Sequence, residues 1–241
     1  MKKTIGIVSE GPTDYMVLKA VIDKISGEEN EYRRIQPESD MKGRYGNGWK
    51  GVWRWCKETS SLDLLMHEIQ PQIDAIVVQM DGDVIRKEKE VHCRCDSTIC
   101  EDKGSVFPLY CGRTASDCPI NIPCKSHNDN IEARIEHGKN VLKEALNTDC
   151  DNVIITIPCD STDAWIVAAY GDDDYPEKLI DPWKNIIAKG KYYHGVRVRG
   201  DKKNTNTYSE FINVLYENID AVIEKCDTAN LFKKEICRLF K

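Results

Sequence analysis

Three short runs of β-branched and apolar residues each break off at a cluster of acidic side chains. The first, Lys3 to Val8, stops at Ser9-Glu10-Gly11-Pro12-Thr13-Asp14. The second, Asp74 to Met80, stops at Asp81-Gly82-Asp83, and the third, Asn152 to Ile157, at Pro158-Cys159-Asp160 and then Asp163-Ala164-Trp165. Apolar runs of strand length without clean alternation are those of strands buried on both faces, the usual case in a parallel sheet. Helical spacing lies between and after them: Tyr15 to Ile22, Ser61 to Gln70, Ile131 to Leu146 and Tyr208 to Glu224, while Glu31 to Gln36 reads as a further short strand. This alternation predicts an α/β fold, a mainly parallel sheet with helices on both faces. The 241 residues suit one core spanning 1–241, with a cysteine-rich insertion over 86–128.

In such sheets the ligand crevice lies beyond the carboxyl ends of the strands, and that is where the acids fall. A hard divalent cation takes oxygen ligands, one or two of them carboxylates, and leaves the rest to water and phosphate oxygens. Asp81 and Asp83 are two apart, so an extended backbone would send both side chains from one face, with Gly82 letting a substrate approach. Glu10 suits either metal binding or general acid–base work, and Asp14 and Asp160 add further oxygen donors. Singly, each group has a plainer reading: Asp14 or Thr13 capping a helix, Asp81-Gly82-Asp83 making a turn. Their joint placement at strand ends favours the metal site.

Charge and hydropathy exclude some classes. With 34 basic and 40 acidic residues the formal net charge is −6, which argues against a surface coated for non-specific nucleic-acid binding and leaves room only for local basic grooves. Two stretches qualify: Met41 to Trp55, where Arg44, Lys50 and Arg54 lie among Tyr45, Trp49, Trp53 and Trp55, and the basic run Lys189 to Lys203. Glycines 43, 46, 48 and 51 read the first half of the former as loop, its tryptophans either covering the core edge or forming a platform for bases. No apolar run is long enough for a membrane span, and the N-terminus reads as a strand rather than an export signal, so the expected compartment is the cytoplasm.

In a reducing cytosol, eleven cysteines point to metal ligands and buried thiols. Six of them, Cys93, Cys95, Cys100, Cys111, Cys118 and Cys124, crowd between His92 and His127 among glycines and prolines with few large apolar residues. Such a segment needs a cross-link, and structural Zn²⁺ supplies one; Cys95, Cys100, Cys111 and Cys118 are the favoured ligands, with disulfides or free thiols as alternatives. Cys56, Cys150, Cys159, Cys226 and Cys237 read as scattered buried fillers.

The run from Ile5 to Asp14, followed by a helix and later by Met80-Asp81-Gly82-Asp83, resembles the Toprim domain of topoisomerases, primases and overcoming-lysogenization-defect nucleases. The likeness extends to stand-alone Toprim-like proteins encoded beside ATPases in bacterial defence operons. Their acidic-Ala-Trp helix start is matched by Asp163-Ala164-Trp165, with Asp where such relatives more often carry Glu. Their late lysine before a tyrosine-bearing helix is matched by Lys202 or Lys203 and Tyr208. The resemblance implies a Mg²⁺- or Mn²⁺-dependent nuclease acting on DNA or RNA, an antiviral effector with an ATPase partner. It makes Glu10 the acid or base, Asp81 and Asp83 metal ligands, Asp163 an accessory acid, and Lys202 or Lys203 the cation at the phosphate. Two rival readings stand beside it: primase-like nucleotidyl transfer, and a non-catalytic zinc-containing adaptor.

Overall fold

A computed structural model describes residues 1–38, 44–59, 61–69, 71–86, 131–147, 150–200 and 202–241. The six crowded cysteines, and with them the expected zinc ligands Cys95, Cys100, Cys111 and Cys118, lie outside the described residues, as does almost all of the 86–128 insertion.

The sheet is four-stranded and wholly parallel, in the order β2-β1-β3-β4, with β1 Thr4–Val8, β2 Glu31–Gln36, β3 Ala75–Gln79 and β4 Val153–Thr156. Central strands β1 and β3 are buried along their whole length, which is why their sequences show no polar alternation. Helices cover both faces. On one, α1 (Pro12–Ser26), α6 (Asp163–Tyr170), α8 (Thr205–Glu217), α9 (Ile219–Lys225) and α10 (Asp227–Leu239) pack over Ile5, Ile7, Val77 and Ile154. On the other, α2 (Gly48–Glu58), α3 (Leu62–Glu68) and α5 (Ile131–Leu146) pack over Val8, Ile76 and Val78. The remaining elements are the one-turn α4 (Asp83–Arg86), α7 (Pro182–Ala188) and a two-stranded antiparallel hairpin, β5 (Tyr192–Tyr193) with β6 (Val196–Arg197). Among the described residues no helix is long and apolar enough to cross a membrane.

Local sequence explains most of these limits. Helix α1 starts with Pro12 in its first turn and ends at Gly27, whose φ of 68° is the left-handed cap that glycine adopts without strain. The N-cap residue is Gly11, which has no side chain to cap with, and Asp14 in the first turn accepts a hydrogen bond from its own backbone N–H. Trp165 of α6 is fully buried, stacks 6.0 Å from Phe232 and donates its Nε1–H to Thr228 Oγ1 at 3.1 Å, fastening α6 to α10. Burial of a ring this size contributes roughly 2–3 kcal/mol.

Three expectations are corrected. Gly51 lies inside α2, and Gly48 begins it at a left-handed φ of 73°; a Cβ on Gly51 would come 2.5 Å from the Gly46 carbonyl oxygen, so close packing of backbone on helix outweighs the low helix propensity of glycine. The amphipathic stretch from Tyr208 breaks at Asn218 into α8 and α9. Of the scattered cysteines, Cys56, Cys159 and Cys226 are buried, but Cys150 is half-buried and Cys237 exposed.

Candidate active site

Parallel pairing in register brings the ends of β1, β3 and β4 to one edge of the sheet, where Val8 pairs with Val78 and Gln79 with Thr156. The acids therefore meet there. Glu10 follows β1 and ties three elements: its N–H donates to Gln79 Oε1 at 3.2 Å, its Oε1 accepts from the Asp81 N–H at 2.7 Å, and its carbonyl accepts from the Gly48 N–H at 2.9 Å. Asp81 is buried, and its Oδ1 accepts from Gln79 Nε2 at 2.7 Å. Gln79 thus bridges the two strand ends, a role its residue type disclosed only as the one polar position in an apolar run.

Asp81 and Asp83 do not leave an extended backbone together. Gly82 opens a turn and Asp83 starts α4, because the Gly82 N–H donates to the Pro158 carbonyl at 3.0 Å and the Asp83 N–H to the Asp160 carbonyl at 2.9 Å. Glycine at 82 is needed for contact with the chain beyond β4: a Cβ would sit 2.2 Å from the Cys159 carbonyl oxygen. That contact, not access for a substrate, explains it.

The loop after β4 supplies the second half of the site. Thr162 Oγ1 donates to Asp14 Oδ1 at 2.7 Å, joining α6 to α1 across 148 residues. Asp163, fully buried at the first position of α6, accepts from Ser161 Oγ at 3.0 Å and from the Tyr208 hydroxyl in a short hydrogen bond. Lys203 Nζ lies 2.5 Å from Asp163 Oδ2. Of the two lysines, Lys203 is the one that reaches the acids, its side chain 30% exposed, whereas Lys202 makes no ion pair with a described residue. Asp160 is buried, and its Oδ2 accepts from the Asp181 N–H at 2.9 Å.

Electrostatics couple these groups. Burial pushes the Asp81 carboxyl well above its ordinary value, and the charges of Asp14, Glu10 and Asp83 add to the rise while Lys203 opposes it. Burial likewise raises Asp14, against the pull of Lys203 and Thr162. Lys203 loses solvation by burial, yet the neighbouring Asp163, Asp81 and Asp14 raise its pKa and keep it charged. Tyr208 is held as a neutral phenol by burial and by the Asp163 charge.

Among the described residues no three His, Cys, Asp or Glu side chains are arranged as a ready ligand set for one ion. The chemistry of the donors nonetheless suits a hard cation: they are carboxylate oxygens, and Asp14, Glu10 and Asp83 all act on Asp81 as like charges, opposed by the single ammonium of Lys203. Gln79, Ser161, Thr162 and Tyr208 complete the site as donors to its acids. Ser161-Thr162 before Asp163 is a helix-start signature, but nothing local indicates that Thr162 reaches Asp14.

No protein-family model, no curated protein and no solved structure matches this chain.

Proposed function

We propose that the protein is a divalent-metal-dependent phosphodiesterase that cuts nucleic acid at this strand-end site. The observation that carries the reading is the meeting of Glu10, Asp81, Asp14 and Asp163 with Lys203 from three strand ends and a distant loop, in a partly buried setting where the acids exceed the cations. Asp81 and Asp83 would hold the cation, with Asp14 at the margin and Glu10 kept for proton transfer. Bound Mg²⁺ or Mn²⁺ would supply positive charge to the phosphoryl oxygens and raise the acidity of a nearby water.

The chain's own groups do the rest. A water attacks phosphorus, the P–O bond to the leaving sugar oxygen breaks, the proton lost by the water passes to a carboxylate, for which Glu10, half-buried and hydrogen-bonded to the Asp81 N–H, is suited, and the leaving oxygen takes its proton from solvent. Lys203 faces the negative charge that grows on the phosphoryl oxygens, held in place by Asp163, which Tyr208 and Ser161 in turn orient. The zinc-bound cysteine insertion and control by an ATPase partner belong to the same proposal and rest on the sequence and the Toprim resemblance.

The test is a cleavage assay on DNA and RNA with Mg²⁺ or Mn²⁺, comparing wild type, Glu10→Ala and Asp81→Ala, alone and with any neighbouring ATPase. Metal-dependent cutting lost in both variants supports the reading. Cutting indifferent to both substitutions, or none under any condition, rejects it.

A further inference from the structure

Helix α2 buries Val52, Trp55 and Cys56 against the sheet and turns a cationic and aromatic face outward. Lys50 and Arg54 form one i,i+4 row and Trp53 and Lys57 the next. The three cations are exposed and Trp53 is half-buried. Lys57 Nζ lies 4.9 Å from the centre of the Trp53 ring and Lys50 Nζ 5.4 Å from that of Trp49. None of the three is ion-paired to another described residue, although Arg44 close by pairs with Glu58 at 3.0 Å. The helix starts against the acid cluster, since the Gly48 N–H donates to the Glu10 carbonyl, and runs away from it for roughly 13 Å by the time it reaches Lys57.

We infer that this face of α2 is a docking track for single-stranded nucleic acid: Lys50, Arg54 and Lys57 hold successive phosphates, Trp53 takes an unpaired base, and the strand leads to Glu10. Charge complementarity selects a polyanion, because a protein with net charge −6 can retain one only on a local stripe of uncompensated cations. The aromatic ring selects the single strand, since unpaired bases offer the π face that a duplex keeps inside. The inference rests on the phosphodiesterase reading for what happens at the Glu10 end; the docking itself requires no chemistry.

Fluorescence anisotropy of labelled single-stranded and duplex oligonucleotides, titrated with the full chain in chelator so that nothing is cut, tests it. Wild type is expected to bind single strands more tightly than duplex. The triple variant Lys50→Glu/Arg54→Glu/Lys57→Glu, at exposed positions outside the core, is expected to weaken single-strand binding roughly tenfold or more and to lower the slope of log affinity against log salt by about two. Trp53→Leu keeps an apolar side chain for the helix surface but removes the stacking face. It is expected to weaken single-strand binding roughly tenfold and leave duplex binding unchanged. Wild-type affinity in either variant, or a wild type that binds no single strand, overturns the inference. A wild type that docks single strands in this way yet cuts nothing with Mg²⁺ or Mn²⁺ rejects the phosphodiesterase reading alone. Cutting that is lost in Glu10→Ala but indifferent to the α2 substitutions rejects the docking track alone.

Discussion

Lys203 Nζ sits 2.5 Å from Asp163 Oδ2, and that carboxylate is 1% exposed. Removing the ammonium strands a buried charge. Lys203→Met should therefore cost about 1–3 kcal/mol in urea unfolding, less than for a fully buried pair because Lys203 keeps 30% of its side-chain exposure. The double variant Lys203→Met/Asp163→Asn should regain most of the loss, and Lys202→Met should be silent. Equal destabilisation in single and double variants would show that the pair does not couple.

Asp81 gives the site a pH signature. Its folded pKa is raised from 3.8 by burial and by Asp14, Glu10 and Asp83. A carboxyl of this kind binds more protons folded than unfolded between its two pKa values, so the free energy of unfolding falls as pH rises through that window. In chelator, stability is thus expected to decline as pH rises from about 4 toward neutrality. Asp81→Asn should flatten this slope and be the more stable protein at neutral pH. Urea unfolding across that range decides it; a wild-type slope kept by Asp81→Asn would rule the assignment out.

The Tyr208 hydroxyl donates to Asp163 Oδ1 in a buried setting. Tyr208→Phe preserves the ring packed between Trp183 and Phe211 but deprives a charged acceptor of its donor, at a cost of about 1–3 kcal/mol in stability. If Asp163 positions Lys203 at the phosphate, the same substitution should lower the maximal cleavage rate about tenfold with little change in KM. An unchanged rate with reduced stability would make Tyr208 purely structural.

Much of this arrangement was legible in the chain. Strands β1 and β3, buried on both faces, and the edge strand β4, half-buried on one, stood out with the acids at their ends because parallel strands under helices leave apolar runs. Contacts across long sequence separations were not legible. The turn at Gly82 depends on carbonyls 76 and 77 residues downstream, at Pro158 and Cys159, and Thr162 finds Asp14 only when α1 and α6 pack together. The break at Asn218 leaves the hydrophobic spacing intact, so periodicity ran through it. Lys202 and Lys203 differ by one position, and only the path of the chain from β6 into α8 brings one of them to the acids.

Gly82 offers the sharpest packing test, because it is the point where the β3 and β4 loops touch. An added Cβ would lie 2.2 Å from the Cys159 carbonyl oxygen and 2.5 Å from that of Pro158, both backbone atoms that cannot swing aside. To fit it, the two loops must part, breaking the Gly82 N–H bond to Pro158 and the Asp83 N–H bond to Asp160. Gly82→Ala is expected to destabilise the protein by about 1–3 kcal/mol. It should also abolish cleavage at temperatures where the variant remains folded. Gly27→Ala is the contrast: nothing lies within 4 Å of its added Cβ, so only the strain of φ 68° operates, about 1 kcal/mol, with cleavage retained. Urea unfolding paired with the cleavage assay separates the two, and a Gly82→Ala protein as stable and active as wild type would show that the loops do not meet at this point.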